Sequence, residues 1–212
     1  MRKNKTHIKR FQRNLTPKKV ILIVCEGEKT EKNYFNRLKN FLKLTSVSIE
    51  ILPSSHPTPM QVINYVGQKA KKVSEYDEIY CVIDRDTHKD FDKALSKVQS
   101  IKLKNTILKA IVSDPCFEFW ILCHFTATTQ HFGGNSPCLQ VQKHKDFKKN
   151  LPHYSKDYDF RDIITSHLLT AIKNSKAVNK ANLSTKQSTY TQVVELVERL
   201  QGLAKECWSF IN

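Results

Sequence analysis

The sequence predicts an α/β fold: a central, mostly parallel four-stranded sheet flanked by helices, with a helical C-terminal extension. Three observations carry that expectation. Residues 20–24, Val-Ile-Leu-Ile-Val, form an uninterrupted β-branched and aliphatic run, the pattern of a strand buried on both faces of a parallel sheet. Residues 79–83, Ile-Tyr-Cys-Val-Ile, make a second such run. Around these runs apolar residues recur at helical spacing. Strand and helix therefore alternate as βαβαβαβ, the order that right-handed crossovers close into a parallel sheet.

Residues 1–19 hold eight Lys or Arg and no acid. They lack apolar periodicity and read as a mobile basic arm in which Phe11 is placed to stack on a base. The first strand runs into Glu26-Gly27-Glu28, where glycine permits a tight turn and close backbone approach. Residues 30–44 set Tyr34, Phe35, Leu38, Phe41 and Leu42 three and four apart, an amphipathic helix. Weak alternation over 47–52 gives the second strand. Prolines break the pattern over 53–59, and Thr58-Pro59 caps and starts a helix to about residue 73.

The third strand is 79–83, a helix over 91–98 follows on Phe91, Leu95 and Val98, and 106–112 is the fourth strand. Asp114-Pro115 then starts a helix on which Phe117, Trp120, Ile121 and His124 share a face. Periodicity fades over 126–160, where Gly133-Gly134-Asn135 is a turn and the basic stretch 143–149 sits in an insertion or short helical segment. A helix over 160–172, an exposed polar loop over 173–189 carrying Lys173, Lys176, Lys180 and Lys186, and a helix over 191–203 complete the chain. The expected division is a basic flexible arm (1–18), a catalytic core (19–125) and a mainly helical extension packed on it (126–212).

A chain of 212 residues and 24.6 kDa can bury a full core. No apolar run approaches bilayer length and no apolar signal segment follows the basic N-terminus, which predicts a cytoplasmic protein. The six cysteines (25, 81, 116, 123, 138 and 207) form no CxxC pair. Buried reduced thiols are favoured over zinc ligands or disulfides. The net charge is +15, and removing the eight cations of 1–19 leaves 27 basic against 20 acidic residues, still +7. An acidic site inside such a protein suits a metal-dependent enzyme on a polyphosphate backbone, because the metal needs carboxylates while the substrate needs surrounding positive charge. A merely solvated basic surface is the alternative.

Both buried runs end in acid. Glu26, Glu28 and Glu31 follow the first, and Asp84-Arg85-Asp86 ends the second. In open α/β sheets ligands bind in the crevice beyond the carboxyl ends of the strands. Two carboxylates one residue apart can converge on a hard cation, whereas alone they repel and one tends to stay protonated. If the two strands are neighbours, Glu26, Asp84 and Asp86 face one site. Glu118 is a lone acid in an aromatic run and needs a partner: solvent or a local cation on one reading, the rim of the metal site on the other. Lys29, Arg85 and Lys89 lie beside these acids in sequence and suit phosphate oxygens, with surface solvation an equal alternative for each. His88 suits proton donation to a leaving oxygen, although a lone loop histidine is more often just exposed. Tyr34, spaced with Leu38, belongs to the core rather than to a covalent mechanism.

At Cys25-Glu-Gly-Glu-Lys-Thr-Glu31, Ile83-Asp-Arg-Asp86 and Ser113-Asp-Pro-Cys-Phe-Glu-Phe-Trp120 the sequence resembles the RloB family, small proteins with a Toprim-type domain often encoded near restriction and abortive-infection loci. The likeness covers roughly residues 18–200 and is clearest in the first 125. It implies a Toprim-like Rossmannoid fold, the metal-binding phosphotransfer domain shared by topoisomerases, primases and OLD-family nucleases. On this resemblance Glu26 is the acid after the first strand and Asp84 with Asp86 is the DxD motif, together holding Mg²⁺ or Mn²⁺. Glu31 resembles the second acid that OLD-type nucleases place at the start of the first helix, here one residue further on, with Glu28 as competitor. The catalytic candidates are therefore Glu26, Asp84, Asp86, Glu31 and Glu118. Related systems pair such a protein with an AAA- or ABC-type ATPase, and some Toprim effectors in phage defence cut tRNA. No Gly-x4-Gly-Lys occurs in this sequence, so an ATPase would be a separate subunit.

The expected function is a Mg²⁺- or Mn²⁺-dependent nuclease, hydrolysing DNA or RNA, tRNA included, as an effector in phage defence. A non-catalytic basic nucleic-acid-binding subunit is the alternative from another class. Phosphoryl or nucleotidyl transfer to a small molecule is a third reading, disfavoured because the arm and the Lys-rich stretches suit an extended polyanion.

Overall fold

The structure, a computed structural model, describes residues 19–27, 29–51, 58–72, 76–86, 88–185 and 189–209. The basic arm at 1–18 with Phe11, Glu28, the proline-rich 52–57 and Lys186 lie outside the described residues. Among the described residues, no helix is long and apolar enough to cross a membrane.

The expected mostly parallel sheet is present, with five strands rather than four among the described residues, in the order β2-β1-β3-β4-β5. Strands β1 (Ile21–Cys25), β2 (Val47–Ile51), β3 (Glu78–Asp84) and β4 (Ile107–Asp114) are parallel, and the short β5 (Tyr190–Thr191) is antiparallel to β4. All five residues of β1 are buried, and alternation sends them to two separate cores. Ile21, Ile23 and Cys25 join the larger one, with α1 (Thr30–Phe41), α4 (Phe117–Leu122), α7 (Arg161–Thr185) and α8 (Val193–Ser209). Leu22 and Val24 join the smaller one, with α2 (Pro59–Lys72) and α3 (Phe91–Ser100). The run is apolar without interruption because neither face of the strand meets water.

Local signals place the helices. Gln61 N–H donates to Thr58 Oγ1 (3.4 Å) and Thr58 N–H to Gln61 Oε1 (3.1 Å), with Pro59 as the first helical residue; this reciprocal cap is what Thr58-Pro59 predicted. The fading stretch 126–160 holds two short helices, α5 (Pro137–Lys143) and α6 (Lys145–Asn150).

Two expectations need correction. The loop over 173–189 is instead largely the continuation of α7 to Thr185. Its inward positions, Ala171, Ser175, Val178 and Asn182, are buried, but two are polar, so the apolar stripe that marks a helix fades there. Those amides serve the fold: Asn174 Nδ2 donates to Cys123 O (2.9 Å), Asn179 exchanges two hydrogen bonds with the Thr191 backbone (2.8 and 3.1 Å), and Asn182 holds Thr189 O. Lys173, Lys176 and Lys180 face solvent as expected. The fifth strand was missed because two residues carry no alternation. Gln192, whose N–H donates to Val112 O (2.8 Å) and whose Oε1 accepts from Val112 N–H (3.0 Å), pins it.

Glu78 opens β3 and is 2% exposed. Its carboxylate accepts from Arg199 (Nη2 2.6 Å, Nε 3.0 Å), Tyr80 Oη (2.8 Å) and Lys19 Nζ (3.3 Å). Burial alone would raise its pKa, but these donors prevail and hold it at about 2. An acid with a depressed folded pKa stabilises the protein above its unfolded pKa and loses that contribution as pH falls toward the folded value. Arg199→Met should therefore lower unfolding free energy near neutral pH by roughly 2–4 kcal/mol, since it strands most of a buried charge. In denaturant melts its deficit against wild type should shrink as pH falls from about 4.5 toward about 2.

Candidate metal centre

Register brings the acids together. Cys25 of β1 pairs with Val82 of β3, so the residues just past β1 lie beside the last residues of β3. Glu26 N–H continues the ladder onto Val82 O (3.0 Å). The strand order runs from β1 to β2 on one side and from β1 to β3 on the other, which makes this the topological switch point of the sheet, where a crevice opens.

Glu26 is 8% exposed. Its Oε2 accepts from Asp84 N–H (3.2 Å), and its Oε1 lies 3.1 Å from His88 Nε2. Burial pushes its pKa up to about 8, with Glu31, Asp86 and Asp90 adding repulsion and the Asp84 N–H opposing. Glu31, 5% exposed in the first turn of α1, lays its carboxylate over Gly27. A Cβ at position 27 would sit 1.9 Å from Glu31 Oε2, so any larger residue here would displace the Glu31 carboxylate. Burial and then Glu118 raise Glu31 to about 7, against backbone hydrogen bonds from Glu31 and Gly27 and the charge of Lys156.

Asp84 ends β3. Its Oδ1 is shut off from solvent with no hydrogen-bond partner. Burial raises this acid well above the ordinary range, and Glu31, Glu118 and Glu26 raise it further. Glu118, in the first turn of α4, is buried; its Oε1 accepts from Tyr154 Oη (3.1 Å) and Gln142 Nε2 (3.3 Å). It does not point to solvent, so the local-surface reading of this acid is corrected. Electrostatic interaction thus links four carboxylates at one end of the sheet.

The other sequence candidates divide. Asp86 is exposed in the turn after β3, at φ +34°, with its N–H donating to Pro115 O (2.9 Å); its charge reaches Glu26, so it stands at the rim while Asp84 goes inside. Arg85 lies 3.7 Å from Asp114 Oδ2 and 4.0 Å from Asp92, over the Phe91 ring. Lys29 pairs with Asp157 (2.9 Å), and Lys89 is exposed. His88, whose side chain is only 29% exposed, is drawn in by Glu26. Tyr34 is buried in the core, 3.2 Å from His124 Nε2.

Asp114, Tyr154 and Lys156 were missed. Asp114 ends β4 in burial, and desolvation raises it to about 6 against Arg85 and His131. An acid closing an apolar strand is the same signal that exposed Glu26 and Asp84. Tyr154 and Lys156 come from an aperiodic loop and carry no such signal.

The donor set is carboxylate oxygen, the preference of Mg²⁺ and Mn²⁺. An unpartnered buried carboxylate oxygen among like charges is an electrostatic deficit that a divalent cation would remove. The donor chemistry therefore suits such an ion, and Glu26, Glu31, Asp84 and Glu118 are the residues that would hold it, although among the described residues no three of these acids bring their oxygens within 4.8 Å of one another.

A sequence model described as RloB-like protein matches residues 21–200. No curated protein and no solved structure matches.

An acid whose folded pKa is raised destabilises the fold increasingly as pH rises from its unfolded toward its folded pKa. With chelator present, stability should fall by on the order of a few kcal/mol between about pH 5 and about pH 8, the window set by Glu26 and Glu31. Excess Mg²⁺ or Mn²⁺ should reverse the loss, adding about 2.7 kcal/mol at a hundredfold excess over Kd. Asp84→Asn should flatten the chelated pH profile and weaken the metal response. Thermal melts across pH, with and without metal, read both effects.

Proposed function

The chain belongs to the RloB-like protein family, and from that premise together with the four-carboxylate site we propose that it is a divalent-metal-dependent nuclease. The observation that carries the reading is the electrostatic linkage of Glu26, Glu31, Asp84 and Glu118 at the sheet's switch point, with one Asp84 oxygen buried and unpartnered. A Toprim-type active site, implied by the sequence resemblance, gives the same assignment to Glu26 and Asp84.

A bound Mg²⁺ or Mn²⁺ would supply Lewis acidity toward the scissile phosphate and a water of lowered pKa. The protein's part is to hold and move the proton. Glu26 is fixed from both sides, by Asp84 N–H on one oxygen and by His88 Nε2 on the other. It would serve either as a ligand or as the general base. His88, partly open to solvent, is the exit route for that proton or the donor to the leaving oxygen. Lys156 beside Glu31, and Arg85, Lys29 and Lys89 around the rim, offer cations to phosphate oxygens. The net charge of +15 favours an extended polyanion over a small nucleotide.

The substrate is DNA or RNA, with tRNA among the RNA candidates. A role as effector in phage defence, beside a separate AAA- or ABC-type ATPase subunit, rests on the family resemblance and on no residue of the site. A non-catalytic binding subunit is the competing reading, and the same variants separate the two.

Glu26→Gln and Asp84→Asn are expected to fold and to keep nucleic-acid binding while cleavage falls by roughly 10²–10⁴-fold, the range for loss of a general base. Sequencing of nucleic-acid ends from cells expressing wild type against Glu26→Gln would reveal the substrate. Equal activity in wild type and both variants would leave only the binding subunit. Binding itself should weaken by about 10³–10⁵ between about 50 and 200 mM salt if six to ten phosphates are gripped.

A further inference from the structure

A second set of donor atoms adjoins the oxygen-only cluster. Cys116 Sγ, a Glu118 carboxylate oxygen and Cys138 Sγ all lie within 4.8 Å of one another. They arrive from separate places: Cys116 immediately precedes α4, Glu118 sits in its first turn, and Cys138 is the second residue of α5. Cys138 is also close enough to raise the Cys116 thiol.

Among the described residues Cys25 also feels the acids Glu31 and Asp84, but only Cys116 and Cys138 share ligand-like spacing with a carboxylate. Cys81 and Cys123 are perturbed by burial alone, as cysteines packed in apolar surroundings should be. Cys116 instead feels Glu118, Asp84 and Cys138, and Asp84 in turn feels Cys138. Two thiols and the Glu118 carboxylate face one small volume, with the charge of Asp84 in reach. Thiol hydrogens are weak donors and do not offset that accumulated negative character. A cation does.

We propose that Cys116, Cys138 and Glu118 form a thiolate-containing metal site selective for Zn²⁺, next to the carboxylate centre and sharing Glu118 with it. Zn–S bonds of about 2.3 Å in tetrahedral geometry set ligand atoms about 3.8 Å apart, so side-chain rotation closes a triangle of this size. Soft sulfur ligands select Zn²⁺ and its probe Co²⁺ over Mg²⁺ and Mn²⁺, which separates the two sites by chemistry. Each thiol gives its proton to solvent as its sulfur–metal bond forms, and a water takes the remaining position. Bound metal would tie α5 to the start of α4 and fix Glu118, whose Oε1 is already held by Tyr154 and Gln142.

The site does not rest on the nuclease reading, and its test reads metal and sulfur rather than cleavage. Full-length protein purified under reducing conditions and loaded with Co²⁺ should show a thiolate-to-cobalt charge-transfer band in the near ultraviolet, abolished by Zn²⁺ but not by excess Mg²⁺. Cys138→Ser, at the half-buried position, should lose the band and bind Zn²⁺ at least about 10–100-fold more weakly, more than loss of an outer-shell partner costs. Cys123→Ser and Glu26→Gln should keep it, with circular dichroism verifying the fold of each. The proposal is overturned if wild type gives no thiolate band, if Cys138→Ser keeps the wild-type band, or if the two thiols prove to be a disulfide that only reductant opens.

Discussion

Burying like charges together is costly, and that constraint organises this molecule. Glu26, Glu31 and Asp84 all have their pKa values raised by burial first and by one another second. A fold selected for stability alone would replace such a group with apolar residues or pair each acid with arginine, as it does at Glu78. At the far end of the same strand, Asp84 keeps an oxygen with no partner. Both ends of β3 bury acid, yet only the end at the switch point leaves it uncompensated, and this contrast makes the site a functional candidate.

The rest of the fold follows from holding those carboxylates in place. The two cores clamp β1 from both faces, which fixes its register against β3 and hence the contact of Glu26 with the Asp84 N–H. Gly27 leaves room for the Glu31 carboxylate. The helical extension is part of the same construction: Phe147, Phe160 and Leu168 share one hydrophobic cluster with Ile21, Tyr34 and Trp120. From that extension come Tyr154 and Gln142 to orient Glu118, and Lys156 to face Glu31.

Sequence reasoning reached those parts of the site that share a strong local signal. Apolar runs of strand length ending in acid marked Glu26 and Asp84, while the adjacency of their strands stayed a condition that the β1–β3 pairing meets. The same rule applied to β4 would have found Asp114, which was instead read only as a helix start. Glu118 was visible as an acid among aromatics but not as buried, because its partners Gln142 and Tyr154 lie 24 and 36 residues away. His88 looked exposed because its partner Glu26 is distant in sequence and near only across the sheet. The second half of α7 was unreadable for a different reason: its inward face uses Ser175 and Asn182 for hydrogen bonding, so the periodicity of burial is not a periodicity of hydrophobicity.

Glu118 is where these strands of argument converge. Its backbone belongs to α4, one turn from the aromatic side chains that fill the core, so its position is set by packing rather than by the acids it repels. Its Oε1 is taken by Tyr154 and Gln142, which leaves Oε2 for the cation that the proposed site would hold. The same side chain lies within reach of Cys116 and Cys138 on one side and raises Glu31 and Asp84 on the other. A residue so placed cannot change its orientation without both neighbourhoods responding. A cation bound on the proposed thiol side would therefore alter the electrostatics of the carboxylate side through one carboxyl group.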